Sequence, residues 1–430
     1  MAETAGKLQT DLGERSTYDA VSQCSRCGYC EQSCPTYVAT GREPISARGR
    51  NQLVRLMLEG RAPDRESVKE ALSTCLLCGA CSTACYAAVP TADIVLEGRR
   101  MLEPEAPLAA RILGRLAVRR PRAFAFLLKI GYAFKRAGIS RLGRPLLKAV
   151  GFGALAEADA SMDEAPRKFL VDSLRRRTAP EKPAWLYFAA CGPNYVLPRV
   201  GLATWTVLER QLGPGRFLNN ACCGLLSYNY GSLADARDGA RRAIERWEAL
   251  ENREAPVVAD CSSCADFLKR YPRLFLDAPE WKARAEAFSA RARDVIELLG
   301  ADAQASAAAA GAVVYHESCR ARHGQGLAAP VEVLRRACGE GYRALAEADV
   351  CCGGAGAFSF LHPELSDEVL RRKIANVART GAEVVLASST SCLLQLARGL
   401  RKYYPQARAA HLTEFLAQSL APNDGTKTRA

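Results

Sequence analysis

Two runs of cysteines near the start of the chain constrain its fold more than any other feature. The first run is Cys24-x2-Cys27-x2-Cys30-x3-Cys34, followed by Pro35, and the second is Cys75-x2-Cys78-x2-Cys81-x3-Cys85. All four positions of the second run lie 51 residues after those of the first. Each run has the spacing with which thiolates hold a cubane [4Fe–4S] cluster, three from one tight loop and the fourth from elsewhere. The repeat therefore predicts a domain with two cubane clusters and makes electron transfer the first hypothesis.

The expected ligand sets cross between the two runs. In two-cluster ferredoxins the fourth cysteine of each run binds the other cluster. We therefore assign one cluster to Cys24, Cys27, Cys30 and Cys85, and the other to Cys75, Cys78, Cys81 and Cys34. A pair of zinc sites is the alternative, because thiolate quartets also suit tetrahedral Zn²⁺. Zinc sites normally use two separated pairs of cysteines, however, rather than a triplet and a single residue.

Composition limits the class of protein. A chain of 430 residues can form several domains. Its polar N-terminus lacks the apolar core of a signal peptide, and no apolar run approaches the roughly 18 residues of a membrane span. We therefore expect no transmembrane segment and a cytoplasmic protein whose 18 cysteines are reduced and held by metal. The net charge of +13 leaves an acidic protein, an anionic membrane surface or nucleic acid open as a partner.

Beyond residue 180 the pattern changes to alternating strands and helices. Short apolar runs predict strands at Ala184–Ala190, Pro256–Asp260, Ala312–His316 and Glu383–Ala387. Helical spacing predicts helices at Leu197–Leu212, Leu233–Leu250 and Leu365–Thr380. This alternation is typical of parallel sheets built from βαβ units. We predict a multidomain α+β fold with a mostly helical two-cluster domain (1–105), a basic helical linker (106–180) and two pseudo-repeated α/β cysteine-rich domains (181–300 and 301–430).

The remaining cysteines repeat between these two halves. Cys191 and Cys319 are 128 residues apart, as are Cys264 and Cys392, and Cys223 and Cys352 are 129 apart. Most of these clusters follow a predicted strand, at the carboxyl edge where open parallel sheets bind ligands. Each half should therefore hold a metal centre at one edge, with the two centres facing each other about a pseudo-two-fold axis. Buried structural cysteine is the alternative, which the near-constant offset argues against.

The two halves differ in their number of thiols. The first supplies five: Cys191, Cys222, Cys223, Cys261 and Cys264. The second supplies four, with Ser389 in the place of the fifth: Cys319, Cys351, Cys352 and Cys392. The second set suits either a four-thiolate iron–sulfur cluster or a zinc ion. Cys338 has no counterpart and is expected to be an ordinary helix residue.

These motifs together resemble a known family. The Cys-x30-Cys-Cys-Gly-x36-Cys-x2-Cys pattern resembles the CCG domain of heterodisulfide reductase catalytic subunits. The whole arrangement, with Tyr315–Cys319 and Arg322–Gly326, resembles the iron–sulfur subunits of glycolate oxidase and lactate-utilisation complexes. It is also similar to the C subunit of anaerobic glycerol-3-phosphate dehydrogenase. The resemblance implies an electron-transfer subunit beside an FAD-binding dehydrogenase, passing electrons toward quinone. It also implies a noncubane [4Fe–4S] cluster at the five cysteines of the first half, whereas Ser389 departs from that pattern in the second.

A basic segment, residues 106–156, contains no Asp or Glu and interleaves arginine and lysine with apolar side chains. Pro121 and Pro145 are predicted to divide it into short helices. Three interpretations stay open: a connecting helical pair with its apolar side packed on a neighbour, a docking surface for an acidic subunit, and an interfacial helix on anionic lipid. The last would make the protein peripheral to the inner membrane face. No DNA-binding motif accompanies the charge, so we expect no nucleic-acid partner.

Two further features carry no assignment. His316 and His323 flank Cys319, and neither is predicted to bind metal, because such histidines more often hydrogen-bond near a cofactor. The strip Cys352–Gly356 lacks the Gly-x-Gly-x-x-Gly fingerprint of a dinucleotide site. FAD or NAD is therefore expected on another chain.

The function predicted from the sequence is that of an iron–sulfur oxidoreductase subunit in a flavin-dependent 2-hydroxyacid dehydrogenase. It would pass electrons from a partner flavin toward quinone or another acceptor. The main alternative is a catalytic subunit that reduces a disulfide at the noncubane cluster. A zinc scaffold without redox activity is the third class.

Overall fold

The computed structural model describes residues 7–10, 13–102, 108–149, 165–230, 232–300 and 311–419, together with positions 153, 156, 159, 160 and 162. The N-terminal part is mostly helical around one apolar core that includes Val54, Leu72 and Ile94. Its elements are β1 Lys7–Thr10, β2 Gly13–Ser16, α1 Thr17–Ser22, α2 Pro35–Thr40, α3 Ala47–Leu58, α4 Arg65–Ser73, α5 Ala80–Thr83 and α6 Thr91–Met101. Strands β1 and β2 form an antiparallel hairpin, and the cysteine runs occupy the loops between the helices.

The described part of the basic segment forms helices, and the rest of the segment lies outside the described residues. These helices are α7 Leu108–Arg119, α8 Pro121–Arg136 and α9 Ile139–Ala149, and a short α10 Leu170–Leu174 follows. Pro121 starts α8, as predicted, because proline is tolerated in the first turn of a helix. The prediction for Pro145 is wrong, because Pro145 lies inside α9. The break comes instead at Gly138, whose φ of 78° favours glycine.

The first α/β half contains a four-stranded parallel sheet in the order β4-β3-β5-β6. Every residue of β3 is buried, since helices cover both faces of the sheet. The strands are β3 Trp185–Phe188, β4 Gly215–Phe217, β5 Val257–Ala259 and β6 Ala292–Asp294. The helices are α11 Cys191–Tyr195, α12 Pro198–Leu212, α13 Leu225–Asn229, α14 Leu233–Glu248, α15 Ser262–Lys269, α16 Pro279–Ser289 and α17 Val295–Leu298.

The second half repeats this plan with a three-stranded parallel sheet in the order β7-β8-β9. A parallel bridge between Val313 and Tyr342 takes the place that β4 has in the first sheet. The strands are β7 Val313–Tyr315, β8 Val384–Ala387 and β9 Arg408–His411. The helices are α18 Cys319–Gln325, α19 Val331–Cys338, α20 Phe358–Leu361, α21 Pro363–Arg379, α22 Thr390–Tyr403 and α23 Leu412–Ser419.

This architecture confirms the predicted α+β class with small parallel sheets. The four predicted strands are present and slightly shorter than predicted, and Cys338 ends a helix. The sequence patterns missed the edge strands β4, β6 and β9, because Gly215–Phe217, Ala292–Asp294 and Arg408–His411 each contain a charged residue and no apolar run. In the described part of the chain, no helix combines the length and the apolar character needed to cross a membrane.

The two halves pack directly against each other. Helix α12 of the first half contacts α23 of the second, where the Thr204 and Thr413 hydroxyls are 2.8 Å apart. At the carboxyl edges, the Ser262 amide donates to the Ser388 carbonyl at 3.0 Å. A Cβ at Gly192 would lie 2.4 Å from the Thr390 side chain, so only glycine permits this approach. The carboxyl edges of both sheets therefore meet at one interface.

Candidate metal centres

The two cysteine loops of the N-terminal part have the same backbone turn. Arg26 and Leu77, 51 residues apart, both have left-handed φ values of 62° and 54°, and Gly28 and Gly79 both have a φ of 81°. A left-handed Arg or Leu is strained, and such strain persists only where the surroundings impose it. The 51-residue repeat in the sequence is therefore also a repeat of local geometry.

One group of thiols, which we call site A, comprises Cys24, Cys27, Cys30 and Cys85. Burial raises the pKa of Cys30 to about 11, and the neighbouring thiols of Cys24, Cys85 and Cys27 add to the rise. The proximity of Cys85 to the first three is what the crossed arrangement requires. Cys27 is exposed, so site A reaches the protein surface.

A second group, site B, comprises Cys34, Cys75, Cys78 and Cys81, which line one cavity. Burial raises the pKa of Cys81 to about 12, with further contributions from Cys75, Cys34 and Cys30. The structure thus brings together the four residues that sequence spacing assigns to the second cluster. Cys30 of site A lies within electrostatic reach of site B.

Two arginines that sequence patterns did not indicate lie beside site B: Arg50 is buried and Arg99 is partly buried. Arg50 from α3 donates to the Cys34 sulfur at 3.6 Å and to the hydroxyls of Thr36 and Thr74 at 3.0 and 3.1 Å. Arg99 from α6 donates to the Cys75 carbonyl at 2.8 Å. Guanidinium groups at a thiolate site stabilise negative charge through charge-assisted hydrogen bonds. Such groups favour a metal centre whose negative charge increases when it accepts an electron.

The five cysteines of the first α/β half form site C at the carboxyl edge of its sheet. Cys191 begins α11 directly after β3, and Cys261 precedes α15 directly after β5. Gly224, with a φ of 91°, turns the chain after Cys222 and Cys223. The Cys223 and Cys264 sulfurs are 3.4 Å apart, and the Gly224 amide donates to the Cys222 sulfur at 3.5 Å. All five thiols therefore converge on one place.

Hydrogen bonds divide the thiols of site C into donors and acceptors. The Cys264 thiol, followed by the Ser389 hydroxyl, lowers the pKa of Cys261 to about 5. The Cys191 thiol lowers the pKa of Cys222 well below its usual value, and the pKa of Cys191 rises in turn. Crowded buried thiols of this kind hold negative charge best when a metal cation binds them.

The second half forms site D, comprising Cys319, Cys351, Cys352 and Cys392. Cys319 contacts Cys351, and Cys352 contacts both Cys351 and Cys392. Ser389 does not face these thiols but lies 3.5 Å from the Cys261 sulfur of site C. Lys373 is buried beside site D and donates to the carbonyl oxygens of Glu347 and Ala348. Like Arg50, it is a buried cation beside a group of thiols.

His316 also lies at site D, where its ring contributes to a group of potential metal donors with Cys352 and Cys392. The three donor atoms are within 4.8 Å of one another. Burial lowers the pKa of His316 well below its usual value, so the ring is neutral. His323 lies instead near site B, where a Cβ at Gly79 would contact its side chain at 3.4 Å. No sequence signal separates the two histidines; only the fold does.

The four sites form a row in the order A, B, D, C. Cys30 links A to B, and the thiols of Cys78 and Cys319 link B to D. Leu76, Cys78 and Cys351 share a small apolar cluster at that contact. Site C lies across the interface between the halves, where Ser389, three residues before Cys392 of site D, is 3.5 Å from the Cys261 sulfur. The row therefore runs from the exposed Cys27 to the buried interface between the halves.

The donor sets fit iron–sulfur clusters. Sites A and B each offer four cysteine thiolates with ferredoxin spacing, and site C offers five thiolates in mutual contact. Zinc would need only four, so five converging thiols at site C exceed its requirement. Site D offers four thiolates and an imidazole, a set that suits either zinc or iron.

Comparison with known proteins agrees with this picture. The model of the 4Fe-4S dicluster domain matches residues 20–89, and that of the cysteine-rich CCG domain matches residues 185–269 and 313–397. The probable glycolate oxidase iron-sulfur subunit of Bacillus subtilis is 27% identical, over 96% of this chain and 97% of its own. The glycolate oxidase iron-sulfur subunit of Escherichia coli is 26% identical, over 96% and 99%. Lactate utilization protein A of an Exiguobacterium species is 31% identical, over 56% of this chain and 97% of its own.

These matches confirm the resemblance inferred from the cysteine pattern, and the dicluster match supports [4Fe–4S] clusters in the N-terminal part. The chain therefore belongs to the family of CCG-domain iron–sulfur proteins that contains lactate utilization protein A and the glycolate oxidase iron-sulfur subunits.

Proposed function

We propose that this chain is the electron-transfer subunit of a flavin-dependent 2-hydroxyacid dehydrogenase of the glycolate or lactate type. The observation that carries the proposal is the row of sites A, B, D and C. Thiols of A and B, and of B and D, interact electrostatically, and site C lies across the interface between the halves from site D. Several neighbouring sites of this kind are typical of an electron conduit, whereas an enzyme with one catalytic centre would not need them. The relatives named for glycolate oxidase and lactate utilization supply the substrate class.

The proposal assigns cubane clusters to sites A and B and a noncubane cluster to the five cysteines of site C. When bound, these clusters supply one-electron oxidation and reduction, which would connect the surface at Cys27 with the interface between the halves. The protein's own residues hold the thiolates on turns and at strand ends, bury the thiols of sites B, C and D wholly or in part, and place Arg50, Arg99 and Lys373 beside sites B and D. We keep 1–105, 106–180, 181–300 and 301–430 as the proposed limits of the corresponding units.

The surface around site A is the proposed docking place of the flavin-bearing partner. Tyr29 and Tyr86 are 59% and 90% exposed, and their rings lie 5.1 Å apart beside the exposed Cys27. Exposed tyrosines are typical of protein interfaces, because they supply apolar area together with a hydrogen-bonding group. A partner bound here would bring its flavin to the end of the row.

The flavin itself belongs to the partner in this proposal. The glycine strip after Cys352 is in close contact with protein: a Cβ at Gly353 would lie 2.8 Å from the Ser366 carbonyl, and one at Gly354 would lie 3.1 Å from that of Ser391. The strip packs against α21 and α22, which supports a role in positioning site D rather than in holding a phosphate.

Peripheral membrane association completes the proposal. Phe126, Leu127, Ile130 and Phe134 of α8 form an exposed stripe, while Tyr132 on another side of the same helix packs on Phe169. Exposed Arg122 and Arg136 flank the stripe. An amphipathic helix with aromatic and cationic residues binds anionic lipid surfaces. This position would bring the protein to a membrane acceptor such as quinone.

Isolation of the full chain from its own organism under anaerobic conditions tests the proposal. The tagged protein should carry an FAD-containing partner, and glycolate or lactate should bleach the iron–sulfur absorption of the complex. The disulfide-reductase alternative gains support from the half-exposed Cys191 and Cys222 of site C. It predicts instead that a disulfide reoxidises the reduced protein without a flavoprotein, and that result would refute the conduit.

A further inference from the structure

His316 has the features of a metal ligand and no other role in the described structure. It follows β7 directly, and its side chain is 0% exposed. The Nδ1 atom lies 3.1 Å from the Ala348 carbonyl, which can only accept, so Nδ1 carries the hydrogen. The Nε2 atom is buried without a hydrogen-bond partner. A ring oriented by one carbonyl, with its other nitrogen free, is the usual arrangement of metal-binding histidines.

The free nitrogen faces thiols. His316, Cys352 and Cys392 place their donor atoms within 4.8 Å of one another. Donors that share one ion lie about 2.0–2.3 Å from it, and hence less than about 4.6 Å from each other. The three groups can therefore bind one metal atom after only a small contraction.

The internal repeat explains why a histidine is needed here. The 128-residue offset pairs His316 with Phe188 and Ser389 with Cys261. Site C thus has a fifth cysteine and a phenylalanine where site D has a serine and a histidine. Since Ser389 lies against the Cys261 sulfur rather than the site D thiols, it does not replace the missing donor. The imidazole of His316, which directly follows β7, supplies that donor instead.

We propose that His316 Nε2 is a ligand of the metal centre at site D, on the same metal atom as Cys352 and Cys392. The centre has mixed imidazole and thiolate ligation, a chemistry shared by iron in a cluster and by zinc. The inference goes beyond the proposed function, because it concerns the ligand and holds whichever of these metals is bound.

The test compares anaerobically purified full-length wild type with His316→Ala and His316→Cys. Iron, sulfide and zinc contents are measured, together with the nitrogen ligation of the metal by X-ray absorption and pulsed EPR. His316→Ala should lose the metal of site D while the reduced-state EPR signals of sites A and B persist. His316→Cys should keep the metal and lose the nitrogen signature, and this variant decides the question if the alanine variant does not fold.

His411→Ala is the matched control. His411 is equally buried at the end of strand β9 of the same sheet, and its Nε2 also lacks a partner, but it is outside the donor group of site D. The control should keep both the metal and the nitrogen signature. Full metal content in His316→Ala, or an unchanged nitrogen signature in His316→Cys, overturns the inference. Zinc with a nitrogen ligand at site D would confirm the ligand assignment and contradict the electron row of the proposed function, so the two ideas fail separately.

Discussion

At the scale of single residues, the buried cation Arg50 is the clearest control on site B. It is 1% exposed and bonds the Cys34 sulfur, two threonine hydroxyls and the Ala71 carbonyl. Reduction potentials of iron–sulfur clusters depend on hydrogen bonds to sulfur and on local charge. Removing a cation and a donor from the site should therefore disfavour its reduced form.

We predict that Arg50→Met lowers the midpoint potential of the site B cluster by an amount on the order of tens of millivolts. It should also destabilise the protein by roughly 2–4 kcal/mol, because buried partners are left without a donor. EPR-monitored redox titration and thermal unfolding measure the two effects. The control Arg55→Met, on the same helix but paired with Glu59 near the surface, should change neither. An unchanged potential in Arg50→Met would show that its hydrogen bond does not reach the cluster.

Single residues also show which parts of the metal sites could be predicted from the sequence and which could not. The cysteines could be predicted because ligand spacing is local: each loop must present three sulfurs within a few residues. Arg50, Lys373 and His316 could not, because they approach the thiols through contacts of the folded chain. The Ala348 carbonyl that orients His316, for example, is 32 residues away from it.

At the scale of elements, the cysteine loops depend on their left-handed turns. Gly79 has a φ of 81°, and a Cβ there would contact the Cβ of His323 at 3.4 Å. We predict that Gly79→Ala costs about 1–2 kcal/mol and reduces iron retention at site B. The measurements are chemical unfolding and iron content after brief exposure to air.

Gly131→Ala serves as the control for Gly79→Ala. Gly131 lies within α8, and a Cβ there would meet nothing within 4 Å. Alanine should stabilise this helix by up to about 1 kcal/mol, because glycine is a poor helix former. Equal effects of the two substitutions would show that the turn at Gly79 is not strained by a side chain.

Element prediction succeeded where burial leaves a local pattern. The fully buried strands β3, β5, β7 and β8 are apolar runs because helices cover both faces of the sheets. Edge strands β6 and β9 are partly polar and owe their conformation to pairing with a neighbour, which the local sequence does not encode. Pro145 likewise lies in a helix that ordinary proline rules would end.

At the scale of the whole molecule, we predict two separate docking surfaces, one at the exposed end of the row of sites and one on α8. The first is the tyrosine pair at site A. Tyr29→Ser combined with Tyr86→Ser should weaken binding of the flavoprotein at least tenfold, or about 1.4 kcal/mol, while the iron content stays that of wild type. Calorimetry or surface plasmon resonance with the isolated partner measures the affinity.

Phe126→Ser, which changes an exposed aromatic residue of α8, is the control and should leave the affinity for the flavoprotein unchanged. Equal loss of affinity in the tyrosine double variant and in Phe126→Ser would disprove a docking role for the tyrosines.

The second surface is the α8 stripe, whose apolar side chains and flanking arginines should act together. Sedimentation with vesicles that contain phosphatidylserine or phosphatidylglycerol should carry the protein down, whereas neutral phosphatidylcholine vesicles should not. Because the attraction to anionic lipid is screened by salt, binding should fall as ionic strength rises from about 0.01 to 0.15 M, where the Debye length shortens from about 30 to 8 Å.

Phe126→Ser combined with Phe134→Ser should abolish sedimentation, because the buried apolar area is lost even though every cation remains. Leu202→Ser, an exposed apolar position on α12, is the matched control and should sediment like wild type. Sedimentation of the double variant at the wild-type level would show that charge alone holds the protein to the vesicle and that the stripe serves another partner.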